Sequence, residues 1–179
     1  LAEVLITLVI IGVIAAITVP TLINKTQNQE YVSKLKKTYS TLAQATNQII
    51  TEEGPVYAWA TSSSNVYNLY KKHLINAKEC GTADGCFDGQ YKYLYLNNTI
   101  SWENNDNTEK LILADSVQVL INYKSSDCSN MTITGASNVC AVIYVDVNGR
   151  KNPNTWGKDL FRLALKKNGL YPVGCDNNS

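Results

Sequence analysis

Histidine is nearly absent from this sequence: among its 179 residues there is one, His73. A structural zinc site needs closely spaced thiolates or imidazoles, and the cysteines form no CxxC pair, so no such site is expected. The sequence also shows no phosphate-binding glycine loop, nucleophile elbow or paired-acid site. These absences argue against an enzyme.

The sequence also lacks a large excess of charge of either sign. The 16 Lys and Arg residues balance the 15 Asp and Glu residues, and the formal net charge is +1. Because nucleic-acid-binding domains usually present a strong positive field, this balance gives no reason to predict a nucleic-acid partner. The dipeptides Lys71-Lys72 and Lys166-Lys167 are too sparse to change that expectation.

Apolar residues, by contrast, dominate the start of the chain. Residues 1–23 read LAEVLITLVIIGVIAAITVPTLI and contain one ionisable side chain, Glu3. About 20 apolar residues in a helix match the hydrocarbon thickness of a bilayer, so this run is a membrane-span candidate. A carboxylate inside such a helix costs about 2.5–3.5 kcal/mol, so Glu3 requires either a partner or a place in the headgroup region. Gly12 and Pro20 weaken the helix and mark where it can bend.

This N-terminal run resembles the start of mature type IV pilins and of type II secretion pseudopilins. Glu3, Gly12 and Pro20 fall at the family's glutamate, mid-helix glycine and helix-kinking proline. The resemblance implies that Glu3 neutralises the N-terminal amine of a neighbouring subunit, and that Gly12 and Pro20 let the helix adapt during assembly. Members of the family usually have two more residues ahead of Leu1, the first an N-methylated aromatic. We therefore expect either that the mature N-terminus lies upstream of Leu1 or that processing differs here.

The same resemblance implies a function, partners and a location. We predict a structural subunit of a type IV pilus-like filament, with other copies of itself as partners in a helical homopolymer. Prepilin peptidase and an inner-membrane assembly machinery are the further partners. The subunit is expected in a bacterial inner membrane before assembly and in an extracellular filament afterwards. The alternatives are a type II secretion pseudopilin, acting as a periplasmic piston, and a minor pilin that adheres or takes up DNA.

Five cysteines are many for a cytosolic domain of this size and favour disulfides in an oxidising compartment. Loop proximity alone suggests pairing Cys80 with Cys86 and Cys128 with Cys140, but sequence does not fix the connectivity. Cys175 is then left over, either free or intermolecular. The lysines after the apolar run would place this side in the cytoplasm by the positive-inside rule. We give the cysteines more weight, because export in the resembled family depends on a leader peptide that is removed.

The chain as a whole is predicted to be α+β, with a long N-terminal helix packed on a small antiparallel sheet, the pilin-like arrangement that the resemblance implies. Residues 1–23 are the transmembrane or filament-core half of the helix, residues 24–53 its amphipathic half, and residues 54–179 the head domain. Gly54-Pro55 ends the helix. The stripe expected to pack on the head recurs at steps of three and four and consists of Val32, Leu35, Tyr39, Leu42, Thr46 and Ile49.

In the head we predict a helix from Asn65 to Lys78, and then an antiparallel sheet of roughly four or five strands. Asp115-Ser116 and Asn168-Gly169 are typical of hairpin turns. The run from Val139 to Val147 alternates as a strand with two apolar faces.

One loop of the head gathers side-chain oxygens from Asp146, Asn148, Asn154 and Asp159. Calcium takes roughly six to eight oxygen ligands, so the loop is a candidate calcium site, and no other cofactor is expected. It is similar to the calcium-binding C-terminal loop of major pseudopilins, although its ligands do not align cleanly, and it does not fit an EF-hand. The alternative that we favour is a turn whose side chains bond to their own backbone.

Overall fold

The computed structural model describes residues 2–82, 86, 90–94, 100–104, 108–129, 136–149 and 151–173. Its first element is a helix of 52 residues, α1 (Ala2–Glu53), which is roughly 80 Å long at about 1.5 Å per residue. The helix continues through Pro20. It ends as the sequence predicts, because Gly54 adopts a φ of +87° and its N–H donates to the carbonyl of Ile50 over 3.1 Å.

Two shorter helices follow, α2 (Val56–Trp59) and α3 (Ser63–His73). The predicted bounds of the second, Asn65 to Lys78, are wrong at both ends. The helix begins earlier because the hydroxyl of Ser62 caps it, accepting from the N–H of Asn65 over 3.1 Å. It ends earlier because residues 76–81 pair with a strand of the sheet, and this tertiary pairing outweighs their helical spacing.

The described part of the chain forms one sheet of six strands and a separate two-stranded hairpin. The order in the larger sheet is β1-β4-β5-β6-β7-β8, antiparallel throughout, and β2 pairs with β3. The strands are β1 (Asn76–Gly81), β2 (Gln90–Leu94), β3 (Ile100–Asn104), β4 (Glu109–Leu113), β5 (Gln118–Tyr123), β6 (Val139–Asp146), β7 (Leu160–Lys166) and β8 (Gly169–Pro172).

This arrangement confirms the predicted α+β class, a long N-terminal helix on an antiparallel sheet. Both predicted hairpins are present, since β4 pairs with β5 and β7 with β8, and Asp115-Ser116 lie in the first turn. The second turn is Lys167-Asn168, one residue earlier than predicted, because Gly169 of β8 already pairs with Lys166. The expected number of strands is too low. The start of β1 lies within the helix predicted from Asn65 to Lys78. β8 is only four residues long, too short for its alternation to be recognised.

The second half of α1 packs on α3 and the sheet. Of the predicted stripe, only Val32 is exposed. It lies at the N-terminal end of the stripe, before the first buried residue of the helix, Thr38. Farther along, the hydroxyl of Thr46 lies 2.5 Å from that of Tyr70 on α3. Burial raises the pKa of the Tyr70 phenol, and the bond to Thr46 offsets part of that effect. The buried residues of α1 are Thr38, Leu42, Ala45, Thr46 and Ile49.

The central strand β6 is buried along its whole length. One of its faces packs with the helices, and the other packs in a cluster with Trp156. In this cluster the ring of Trp156 lies 5.8 Å from that of Tyr144, and the guanidinium of Arg162 lies 4.6 Å from the Trp156 ring centroid. As the alternation predicts, the residues on the helix side are Ala141, Ile143, Val145 and Val147.

Candidate functional site

The first half of α1 is not buried by the described part of the head: every residue from 2 to 30 is exposed. The helix is long and apolar enough to cross a membrane, although a signal sequence near an N-terminus meets the same criteria. Its thirteen large apolar side chains are 49% to 69% exposed. Covering them is worth on the order of 20 kcal/mol, at about 1.5 kcal/mol each, so this surface is strongly unfavourable in water. They are Val4, Leu5, Ile6, Leu8, Val9, Ile10, Ile11, Val13, Ile14, Ile17, Val19, Leu22 and Ile23.

The few polar side chains on this apolar half are of two kinds. The hydroxyls of Thr7, Thr18 and Thr21 each donate to a backbone carbonyl three or four residues earlier, over 2.9 to 3.3 Å. These internal bonds satisfy the hydroxyls, so the threonines add little to the cost of burying the surface. Glu3 differs, because none of the ion pairs in the described part of the chain involves its carboxylate. Burying this half of the helix would therefore leave one charge to be neutralised from outside.

The other two residues predicted to act in assembly, Gly12 and Pro20, lie on the same exposed half. A Cβ at Gly12 would meet nothing within 4 Å, so nothing in the described part of this chain requires a glycine there. Pro20 cannot donate the backbone hydrogen bond of a regular helix, although α1 remains continuous. Close packing against a second molecule is where a missing side chain at Gly12 would matter.

Polar contacts attach the second half of α1 to the head at the ends of strands. The ammonium of Lys37 lies 2.9 Å from a carboxylate oxygen of Asp115, in the turn between β4 and β5. The hydroxyl of Tyr39 donates to the carbonyl of Leu170 in β8 over 3.2 Å. Such surface contacts contribute about 1 kcal/mol or less each, so apolar burial contributes most of the docking energy.

The predicted calcium loop joins β6 to β7, and Asp159 is its centre. One oxygen of this fully buried carboxylate accepts from the side-chain amide of Asn148 over 2.8 Å and from the N–H of Asn154 over 3.0 Å. The other oxygen accepts from the N–H of Thr155 over 2.5 Å. Asp146 accepts from the N–H of Asn148 over 3.1 Å. The structure thus brings the four predicted residues together around bonds within the loop itself.

This geometry is that of a self-bonded turn. A calcium ion would compete with the N–H groups that Asp159 already accepts, and the described residues contain no group of three His, Cys, Asp or Glu side chains able to hold a metal. One observation favours a cation: the carbonyl oxygens of the Asn148 and Asn154 side chains are buried and have no donor among the described residues. Calcium binding therefore stays a prediction.

The loop also contacts α1, a contact that no sequence pattern predicts. The side-chain amide of Asn148 lies 3.4 Å from the hydroxyl of Tyr31, across a sequence separation of 117 residues. Tyr31 follows the last exposed residue of the free helix half. No local pattern signals this contact, because it depends on how the helix docks on the sheet.

Comparison with known families places most of this architecture in one group. Residues 21–170 match a family described as Family of unknown function (DUF6613). The chain belongs to the DUF6613 family. No curated protein and no solved structure matches the chain. The DUF6613 match begins immediately after Pro20 and ends within β8, so it includes the docked half of α1, the Asp159 loop and all of the sheet except the end of β8.

The cysteine pairs predicted from the sequence are present as disulfides, and both lie in the DUF6613 region. Cys80 pairs with Cys86, with Cα atoms 5.9 Å apart, and Cys128 pairs with Cys140, with Cα atoms 4.0 Å apart. Each bond connects a loop to a strand of the large sheet. Cys175 lies outside the described residues.

Proposed function

We propose that this chain is a structural subunit, not an enzyme, and that it polymerises through its N-terminal helix into a type IV pilus-like extracellular filament. The observation that carries the proposal is one continuous helix with two environments. Residues 2–23 form an apolar rod in which every residue is exposed. One face of the same helix is buried in the head between Thr38 and Ile49. The head therefore presents the rod, and other molecules must cover it.

The rod suits two environments in succession. In the inner membrane, lipid covers its apolar side chains. In a filament, the rods of other copies cover them, and the transfer costs little hydrophobic free energy because lipid tails and leucine side chains are similarly apolar. The internally bonded hydroxyls of Thr7, Thr18 and Thr21 are tolerated in both environments. Small residues such as Gly12 and Ala16 would let neighbouring rods approach closely.

Glu3 would set the register between neighbouring helices in this assembly. In the filament core its carboxylate would pair with the positive N-terminal amine of a neighbouring subunit. Leaving one member of a buried ion pair uncompensated costs about 3–5 kcal/mol, so the pair favours one register between neighbouring rods. Prepilin peptidase would prepare that amine, and an inner-membrane machinery would move the subunit from the bilayer into the filament.

The disulfides support a head domain outside the cytoplasm. Cys80–Cys86 and Cys128–Cys140 are stable in an oxidising compartment and rare in a reducing one. A periplasmic pseudopilin of a type II secretion system is the second candidate. The observation in its favour is the pair of buried amide oxygens at Asn148 and Asn154, which a calcium ion would satisfy.

Shearing the surface of producing cells tests the proposal. The released material is examined by electron microscopy, and its peptides are identified by mass spectrometry. The proposal predicts thin filaments that contain this chain with peptides from residues 2–23 retained. A chain that remains in the envelope without filaments would favour the pseudopilin. A released chain that has lost those residues would identify the apolar run as a signal sequence and overturn both candidates.

A further inference from the structure

A concave polar site with a volume of about 330 Å³ lies at one end of the large sheet. It is formed where the start of β6 meets the turn from β7 to β8, so two segments distant in sequence build it. We call it the Lys166 site. Its lining residues are Ser137, Asn138, Lys166, Lys167, Asn168 and Tyr171.

Strand pairing holds these segments together. Lys166 is paired across the sheet with Val139 on one side and with Gly169 on the other. Asn138 has a φ of +59°, a left-handed conformation that asparagine tolerates better than most residues. The backbone of the site is therefore fixed by the ends of paired strands, while its side chains are largely exposed to a ligand.

The charged side chains that line the site are all positive. Lys166 and Lys167 supply two positive charges, and none of the six lining residues carries a carboxylate. The ammonium of Lys166 lies 5.6 Å from the centroid of the Tyr171 ring, whose residue is 43% exposed. The amides of Asn138 and Asn168 can each donate and accept hydrogen bonds. The site thus combines cations, a partly exposed aromatic ring with the Lys166 ammonium over one face, and neutral groups that can bond to hydroxyls.

The position of the site keeps it accessible. The Asp159 loop is at the opposite end of β6 and β7, where Asn148 contacts Tyr31 next to the free half of α1. The Lys166 site therefore lies at the end of the sheet away from the apolar rod. Lipid or other helices that cover the rod therefore do not themselves cover the described residues of this site.

We propose that the Lys166 site binds an acidic saccharide, a short glycan that carries a carboxylate. The lysines pair with that carboxylate, the face of Tyr171 packs against a sugar ring, and the amides of Asn138 and Asn168 bond to ring hydroxyls. The volume is near the lower end of ordinary small-molecule sites, so it suits one or two sugar rings. This inference does not depend on whether the chain forms filaments.

A nucleic acid fits less well. Its backbone carries a phosphate at every step, and proteins that bind it without sequence preference use an extended row of cations along a groove. The Lys166 site offers Lys166 and Lys167 in a chain whose net charge is +1. A single charged sugar matches that small number of cations better.

Calorimetric titration of the full chain in detergent tests the proposal. The probes are sialyllactose and digalacturonate, and lactose is the neutral control for the first. The site variant is Lys166→Gln with Lys167→Gln. The matched control is Lys71→Gln with Lys72→Gln, which removes the same charge from the same dipeptide on α3. Melting curves verify that each variant is folded.

The proposal predicts that at least one acidic probe binds, that lactose does not, and that added salt weakens binding. The site variant should lose about tenfold or more in affinity, the change that corresponds to about 1.4 kcal/mol. Tyr171→Ala should weaken binding as well, whereas the control pair should bind like the original chain. Equal loss in the two lysine variants, or no binding of either acidic probe at millimolar concentration, would overturn the proposal. Tighter binding of a single-stranded DNA oligomer at the same residues would replace the saccharide with a nucleic acid.

Discussion

Replacing a leucine by alanine should destabilise the head strongly in the second half of α1 and hardly at all in the first half. Leu42 is 0% exposed and sits in the main core, whereas Leu22 is 65% exposed on the apolar rod. Leu42→Ala removes buried methyl groups and leaves a cavity, which costs about 2–5 kcal/mol. Even the lower figure should reduce the melting temperature of the head by roughly 8 °C. Leu22→Ala should change the stability of the head by less than about 0.5 kcal/mol, because the rod is not part of that core.

Urea unfolding of the detergent-solubilised chain, followed by tryptophan fluorescence, measures both effects. Trp59 is a suitable reporter, since it is buried beside Tyr70 with ring centroids 6.5 Å apart, close to the docked half of α1. A loss below about 1 kcal/mol for Leu42→Ala would mean that α1 does not dock as described. Equal losses for the two variants would mean that the rod is part of the folded head, which would remove the basis for an assembly surface.

Two further perturbations address the head. Asp159→Ala should cost about 2–4 kcal/mol in urea unfolding, because three N–H groups lose their acceptor. A rise of more than about 2 °C in the melting temperature of the unaltered chain with millimolar calcium, abolished by Asp159→Ala, would show a calcium site instead of a self-bonded turn. Burial raises the pKa of Tyr70, so the folded state keeps a proton that the unfolded state loses near pH 10, and stability should fall as the pH rises above about 10. Tyr70→Phe should show a smaller fall between about pH 10 and 11 in the same assay, and an identical fall would show that Tyr70 is not the group responsible.

Local patterns predicted much of the fold because they coincide here with tertiary structure. The alternation around Ile143 and Val145 matches a strand buried on both faces, and the signal at Asn168-Gly169 marks a hairpin whose turn lies within one residue of it. The segment after His73 shows where such reasoning fails. Its apolar spacing is helical, but residues 76–81 pair with β4, and local spacing does not encode pairing with a strand distant in sequence.

The candidate sites divide in the same way. Asp146 and Asp159 were predicted together because they lie close in sequence, and the structure brings them together. The contact of their loop with Tyr31 and the grouping of Asn138 with Lys166 depend on strand order and helix docking, which no local spacing encodes. In the sequence Lys166-Lys167 is an isolated basic dipeptide, and only the fold adds the aromatic and amide side chains.

The most direct test of the proposed assembly is the filament yield of Glu3→Ala, measured by electron microscopy and quantitative blotting of sheared material. Glu53→Ala is the matched control, since it removes the same charge from the solvent-exposed end of the same helix. We predict that Glu3→Ala accumulates in the membrane with a normally folded head, but that its filament yield falls roughly tenfold or more because the neighbouring amine loses its partner. Glu53→Ala should yield filaments normally. Normal filament yield from Glu3→Ala would contradict the proposed pairing of Glu3 with a neighbouring subunit.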